Sequence, residues 1–384
     1  MLTQPAENFT CFESLAEPRR TSGNFQHELI DIVVLSVCAT ICYCETWDEI
    51  EDFGNERIGW LKKYLSLPNG IPGHDTIARV MSRLDTAEFF QCLQAWIDRL
   101  QLDLRGKGIH IDGKTLRHSF DHDSNLKALH MVSAWVDEAS VCLGQIATDQ
   151  KSNEITAVPL LLDLIQIKGA VVTLDAMNCQ QKTVEKIVDK KADYVVTVKK
   201  NQLKLHDLIA DQFIEYFNND ETDRKFRSNR KRSVSRGRKA ERVVTVAPVP
   251  PEVKASGKWK GIKSIGMVYR HREPIRPDNP RAIRETDHVT YFISSLPPTA
   301  KVIAKYVDKH WSVENALHWT LDVTFTEDSS RIRKGAAPAI MASLRRFALS
   351  LLRRDTSMPK TSIKRKRKRA AMNTDNLEAV LFGV

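Results

Sequence analysis

The sequence has few of the features that would anchor it in a membrane or staple it covalently. Its seven cysteines (Cys11, Cys38, Cys42, Cys44, Cys92, Cys142 and Cys179) are odd in number and form no CxxC pair. A disulfide framework and a thiolate zinc site are thereby excluded, and a reducing cytosol is expected. Cys38, Cys42 and Cys44 fall in the apolar run from Ile32 to Cys44 and read as buried small hydrophobes. That run is far shorter than the ~20 apolar residues needed to cross a bilayer, and Asp31 precedes it directly. The first residues are polar and acidic rather than basic then apolar, so no secretory leader is read. No internal repeat is visible either. The expectation is a cytoplasmic protein with no membrane partner.

What is present is length and positive charge. A chain of 384 residues exceeds the ~250 at which a single core stops growing, so two or three domains are expected. The composition, 42% hydrophobic and 28% charged, is that of a soluble globular protein. Lys and Arg number 58 against 48 Asp and Glu, a formal charge of +10. The excess is clumped, which points to a polyanion such as nucleic acid, or else to a basic surface that only aids solubility.

Periodicity divides the chain. From Asn24 to Leu104 apolar residues recur three and four apart, so residues 1–106 read as an all-helical N-terminal domain with a possible DNA-binding role. Asp75 or Thr76 could cap the helix HDTIARVMSRL. The turn before that helix is too long for a helix-turn-helix, so it reads as a packing helix. From Gly108 the pattern changes to three consecutive strands (GIHIDG, ALHMVSAWVD and VCLGQIAT). Alternating helix and strand follow, with strands at AVVTLDA and DYVVTV. This predicts a mixed α/β sheet over 107–384, interrupted at about 218–284 by a basic, β-rich insertion with strands at RVVTVAP and IGMVYRHR. HVTYFISS should be a strand, and VIAKYVDKHWSVENALHWTLD and APAIMASLRRFALSLLRR helices. The run from Lys364 to Arg369 reads equally as a flexible tail.

Three acidic positions stand out. Asp112 and Asp175 each close a predicted strand, where open α/β sheets place their sites, although an Asp there can simply cap the next element. A third element carries Glu314, His318 and Asp322 four residues apart, hence on one helical face, flanked by Trp311, Leu317, Trp319 and Leu321. Such a face is often merely solvated. A buried acid, by contrast, needs a partner or a metal. Oxygen-only ligands suit Mg2+ or Mn2+ rather than zinc, and two such ions about 4 Å apart can activate both oxygens of an in-line phosphoryl displacement. Glu327 and Asp328 follow Phe325 past the expected helix end and read as solvated.

The ordered strings HELIDIVVLSVCATICYCETWDEIEDFG, GIPGHDTIARV, IHIDGKTLR, TLDAMNCQ, VKKNQ and HWSVENALHWTLDVTFTED resemble, over the whole chain, the H-repeat-associated family of bacterial insertion-sequence transposases. These are members of the DDE group with a ribonuclease-H-like catalytic core. The resemblance implies that Asp112, Asp175 and Glu314 are the catalytic, metal-binding acids, holding two Mg2+ (or Mn2+) ions; His318 and Asp322, on the helical face of Glu314, are placed to orient the site from behind it. It implies a DNA transposase that cuts element ends and transfers the freed 3′-hydroxyl into target DNA, working as a homodimer or larger assembly near the bacterial nucleoid. More distant relatives keep an Arg and a Lys beside the catalytic Glu, where this chain has His310 and Leu321. The family's His-Gly-Arg string is Arg236-Gly237-Arg238 here, with its acid displaced to Glu241.

Candidate DNA contacts follow from the basic segments. Nine cations from Arg224 to Lys239, among them Arg230, Lys231, Arg232, Arg236 and Arg238, are dense enough to contact phosphates, or to form a mobile surface loop. Lys114 and Arg117 after the first acid, and Lys199, Asn201 and Gln202 after the second, could hold phosphates beside the metals. Two alternatives share these features: a catalytically inactive DNA-binding protein of transposase descent, and a ribonuclease-H-like nuclease that needs no paired element ends.

Overall fold

The computed structural model describes residues 6–20, 25–120, 127–148, 154–219, 225–235, 237–275 and 285–383. Four helices come first: α1 (Leu29–Ile41), α2 (Trp47–Leu61), α3 (His74–Met81) and α4 (Thr86–Arg99). Strands β1 (Gly108–Thr115), β2 (His130–Val136) and β3 (Val141–Thr148) follow, then α5 (Glu154–Leu164), β4 (Val171–Leu174), α6 (Gln181–Asp189), β5 (Asp193–Val198) and α7 (Leu203–Asn218). Next come β6 (Arg227–Ser235), β7 (Arg238–Pro248), α8 (Pro251–Ala255), β8 (Ser264–Pro274) and β9 (Thr286–Ser294). The chain ends with α9 (Ala300–Val313), a π-helical turn (Glu314–His318), α10 (Trp319–Thr324), α11 (Ala337–Arg354), α12 (Ile363–Met372) and α13 (Thr374–Phe382). The fold is mixed α/β, with a helical N-terminal region. Among the described residues no helix is long and apolar enough to cross a membrane.

Two compact units share the chain, one made of Met1–Asp103, Gly113–Ala157 and Val313–Val384, the other of Leu104–Asp112 and Val158–Ser312. In the first unit α1 has no polar face, and every residue from Asp31 to Ile41 is buried, Cys38 included. Asp31 accepts hydrogen bonds from the backbone N–H groups of Leu67 (2.8 Å) and Ser66 (3.3 Å). Even so, burial pushes its carboxyl above the usual range. Helix α11 is likewise buried from Ala337 to Leu352, and Phe347 packs edge-on against Phe12 and Trp96. Helix α3 is capped by Gly73 without a side-chain bond, so neither Asp75 nor Thr76 serves as predicted. The C-terminal basic run is no tail. It forms α12, in which Arg367 is fully buried, bonding Glu45 (2.8 Å) and the Thr40 carbonyl (2.7 Å) and lying over the Tyr43 and Phe325 rings.

The second unit is a sheet in the order β1-β4-β5-β9-β8-β7-β6. β1, β4 and β5 are parallel, and their runs of Val, Ile and Leu suit strands covered on both faces. The remaining strands are antiparallel. Val171, Val195, Val246 and Phe292 of the sheet pack with Ile303, Tyr306 and Val307 of α9. Gly266 is needed opposite Phe292, whose ring would lie 1.9 Å from a Cβ there. Strands β7, β8 and β9 fall where the apolar alternation predicts them. β6 does not: it is the charged stretch itself, paired with β7 from Arg227↔Val246 to Ser235↔Arg238, and it forms the edge of the order. Charge on an edge strand blocks further pairing, which is why β6 carries no apolar signature.

Candidate active site

In the second unit the two aspartates are brought together by backbone register. His110 of β1 pairs with Thr173 of β4 in parallel, the last pair of that register; extended by two residues, it would bring Asp112 and Asp175 to one level and one face. Their Cα atoms should then be about 5 Å apart, the interstrand spacing. Both are half-buried. Asp175 follows the last residue of β4 as predicted, but Asp112 is the fifth of eight residues in β1, which runs on to Thr115. The same face below the aspartates carries a hydrogen-bonded chain: the Thr173 hydroxyl bonds Nδ1 of His110 (2.7 Å) and Nδ1 of His310 on α9 (2.9 Å). Burial drops the His310 imidazole to about 4, so it is uncharged at neutral pH.

The turn after Asp175 is built around that side chain. Asn178, itself buried, donates to Asp175 Oδ1 from its amide Nδ2 (2.9 Å) and its backbone N–H (3.2 Å). Asn201 Nδ2 donates to the Ala176 carbonyl (2.7 Å), and Gln202 Nε2 to the Cys179 carbonyl (2.9 Å). These two side chains, expected beside a phosphate, have their amides turned to the Asp175 turn. Lys199 is exposed. Cys179 is buried at the end of the turn, its thiol pushed up to about 12 by burial and by Asp175. Asp175, accepting from the backbone N–H three residues on, makes the turn an Asx-type one, with Asn178 as its donor.

In the first unit Glu314 is exposed and begins the π turn. The helix is thus not a uniform α-helix, and a π turn inside an α-helix is a common mark of a functional site. Below it lies a buried ionic cluster that sequence reasoning missed. The Lys114 ammonium, 8% exposed, reaches Asp322 (2.7 Å), Asp328 (2.6 Å) and Glu327 (3.4 Å). Glu327 also receives Arg346 at 2.7 Å, and Arg346 bonds Ser133 Oγ at 3.1 Å. Burial alone would raise the Glu327 carboxyl, but Arg346 and Lys114 hold it below the usual range. Burial pushes the Asp322 carboxyl up despite Lys114. The expectation that Glu327 is solvated is therefore wrong: its side chain is fully enclosed, because α11 brings two arginines under it. Asp328 is partly enclosed, and exposed Arg117 reaches it at 3.4 Å. His318 is held at about 4, first by burial and then by Arg346. Gly113 is required, since a Cβ would lie within 2.3 Å of both Glu154 and His130, whose buried side chains bond each other at 2.6 Å.

The basic hairpin β6–β7 keeps its charges but shares them with acids. Arg230 and Arg232 project on one face toward Glu241 (3.7 and 2.6 Å), while Lys231 on the other face joins Arg242 on Asp308. Arg238 is half-buried at the start of β7, and Arg236 and Arg224 lie outside the described residues. On β8 and β9, His271, Glu285 and Asp287 bring ligand atoms within 4.8 Å of one another. Asp287 already accepts from Tyr269 (2.5 Å) and His271 (3.0 Å).

The chain belongs to the DDE transposase family: the family described as "Transposase DDE domain" matches residues 103–351, and the one described as DDE_Tnp_1-associated matches residues 9–97. Within it the chain is 43% identical to the putative transposase YncI of Escherichia coli O157:H7, over 94% of this chain and 91% of the relative. It is 39% identical to the H repeat-associated putative transposase YhhI of Escherichia coli strain K12, over 96% of each. A shorter relative in that strain, 46% identical over 18% of this chain, is named an inactive transposase, YbfQ. A piggyBac transposase in a synaptic complex with hairpin DNA aligns over 95% of this chain and 84% of its own at a TM-score of 0.42 and 9% identity, too slight a likeness to carry an argument.

Proposed function

We propose that the protein is an active DNA transposase in which Asp112, Asp175 and Glu314 hold two divalent cations, cut the ends of its element and join the freed 3′-hydroxyl to target DNA. The observation that supports this reading is the parallel pairing His110↔Thr173, two residues before Asp112 on β1 and Asp175 after β4. The donor set fits the cation class: three carboxylates, those of Asp112 and Asp175 half-buried and that of Glu314 exposed, offer oxygen donors alone, which suit Mg2+ or Mn2+. Glu314, exposed at the start of the π turn, would supply the third carboxylate. When bound, two such ions stabilise the attacking and the leaving oxygen of an in-line displacement. The chain's own part is orientation. Asn178 fixes one oxygen of Asp175, Asn201 and Gln202 hold its turn, and the uncharged His310 imidazole, bonded to Thr173, adds no competing positive charge. Joining two ends calls for a dimer or larger assembly on DNA.

The test is a strand-transfer assay with the DNA flanking the coding region and Mg2+. Asp112→Asn, Asp175→Asn and Glu314→Gln should each lower cleavage at least about a hundredfold, the worth of several kcal/mol of charge stabilisation, while binding the same DNA. Near-normal cleavage by any one removes that residue from the metal site. Cleavage indifferent to element ends would favour a ribonuclease-H-like nuclease, and binding with no cleavage by the wild type an inactive descendant.

A further inference from the structure

The sequence draws attention to the basic hairpin, where Arg230, Lys231 and Arg232 each meet an acid, but among the described residues a group of cations without an acidic partner gathers elsewhere. In the first unit a cleft of about 810 Å³ is walled on one side by α3 with Arg79 and by Arg83 just beyond its end, and on the other by the segment 329–334 with Arg331 and Lys334. All four side chains are exposed, and none forms an ion pair with a described acid. Ser329, Ser330 and Thr46 add hydroxyls to the lining. Of the acids on the wall, Glu45 is committed to Arg345 (3.1 Å) and Arg367 (2.8 Å), and Asp48 and Asp75 each lie within 3.9 Å of His74.

The segment between α10 and α11 is held at both ends. Gly335 has φ +54°, and a Cβ there would lie 2.3 Å from the Ser82 carbonyl, which accepts a hydrogen bond from Ala336 N–H at 3.0 Å. This fastens the segment to the end of α3. At its other end Glu327 and Asp328 are locked by Arg346 and Lys114. Arg333 turns inward, bonding the His118 carbonyl (3.0 Å) and lying over the Phe120 ring. Arg331 and Lys334 are thus presented from a fastened wall, so little ordering entropy opposes a ligand. Uncompensated cations on both walls of an open polar cleft, backed by hydroxyl donors, match a polyanion whose charges repeat along its length.

We propose that this cleft binds the phosphate backbone of duplex DNA, without reading its sequence, and contributes more to affinity than the β6–β7 hairpin. The proposal rests on the reading of the chain as a DNA-transacting enzyme. Binding of the full chain to a duplex carrying the flanking sequence, measured in EDTA over a salt series, tests it. Arg79→Ala/Arg83→Ala and Arg331→Ala/Lys334→Ala should each weaken binding at about 0.1 M salt by at least about tenfold and lower the slope of log affinity against log salt by about two. The losses should be equal for flanking and unrelated duplexes, and Arg79→Lys/Arg83→Lys should restore the slope. Arg230→Ala/Lys231→Ala/Arg232→Ala should change the slope by less than either pair. Unchanged affinity and slope in both cleft pairs, or a larger change in the hairpin triple, overturns the proposal. The two readings fail separately: a wild type that binds through the cleft but does not cut in Mg2+ removes the enzyme reading alone. Cleft variants that bind and cut like the wild type remove the cleft alone.

Discussion

The regions carrying the proposed catalytic acids are built on opposite principles. In the second unit Asp112 and Asp175 are placed by strand register and by hydrogen bonds from Asn178 and through Thr173. In the first unit the segment that follows Glu314 is placed by buried charge, with Lys114 and Arg346 against Asp322, Glu327 and Asp328. Register is shared among many backbone hydrogen bonds and tolerates the loss of one side chain. A buried ion cluster does not, because removing one member leaves the others unpaired where desolvation is costly. The two regions should therefore fail under different perturbations.

The largest effect is expected from Glu327→Gln, which leaves Arg346 and Lys114 without their shared, fully enclosed carboxylate. Loss of one partner of a buried pair costs about 3–5 kcal/mol, measurable as a lower midpoint in urea unfolding. A loss below about 1 kcal/mol would mean the cluster is solvated and the contrast false. In the second unit Asn178→Ala should instead spare most of the stability and weaken Mn2+ binding about ten- to a hundredfold, because it frees Asp175 Oδ1 from its orienting donors. Calorimetric titration of Mn2+ gives the number. Unaltered affinity would show that Asn178 only closes the turn.

The smallest effect is the pH response of two histidines, His310 in the register-built region and His318 in the ionic one. Each has a folded pKa near 4, below the ordinary 6.5, so the unfolded chain binds more protons between these values. The stability each contributes is whole above pH 6.5 and is lost as pH falls toward 4. His310→Gln and His318→Gln should each reduce the drop in unfolding midpoint between pH 7 and pH 5. If only His318→Gln does so, burial alone does not hold His310 neutral.

Several elements were legible because local pattern and tertiary environment agree. The apolar β1, β4 and β5 strings sit in covered strands, and α1, with no polar face, is buried on all sides. Legibility failed where charge is put to structural use. β6 looks like a loop because an edge strand can be all polar, and α12 looks like a tail because Lys366 and Arg367 are buried by neighbours distant in sequence. Glu327 looked solvated beyond a helix end, yet Arg346 nineteen residues later encloses it. β1 runs past Asp112 and Gly113 to Thr115, and Gly113 is a position where the His130–Glu154 pair leaves no room for a Cβ.

By itself the sequence determined the family, the mixed α/β order of elements and the identity of the acids worth testing, since these rest on residue strings and on periodicities of two and 3.6 that act locally. Only the tertiary structure decided which strands pair beside the two aspartates, which cations are already spent on internal carboxylates and which still face solvent. Those properties depend on desolvation and on partners far apart in the chain, and a charge in a sequence carries no mark of either.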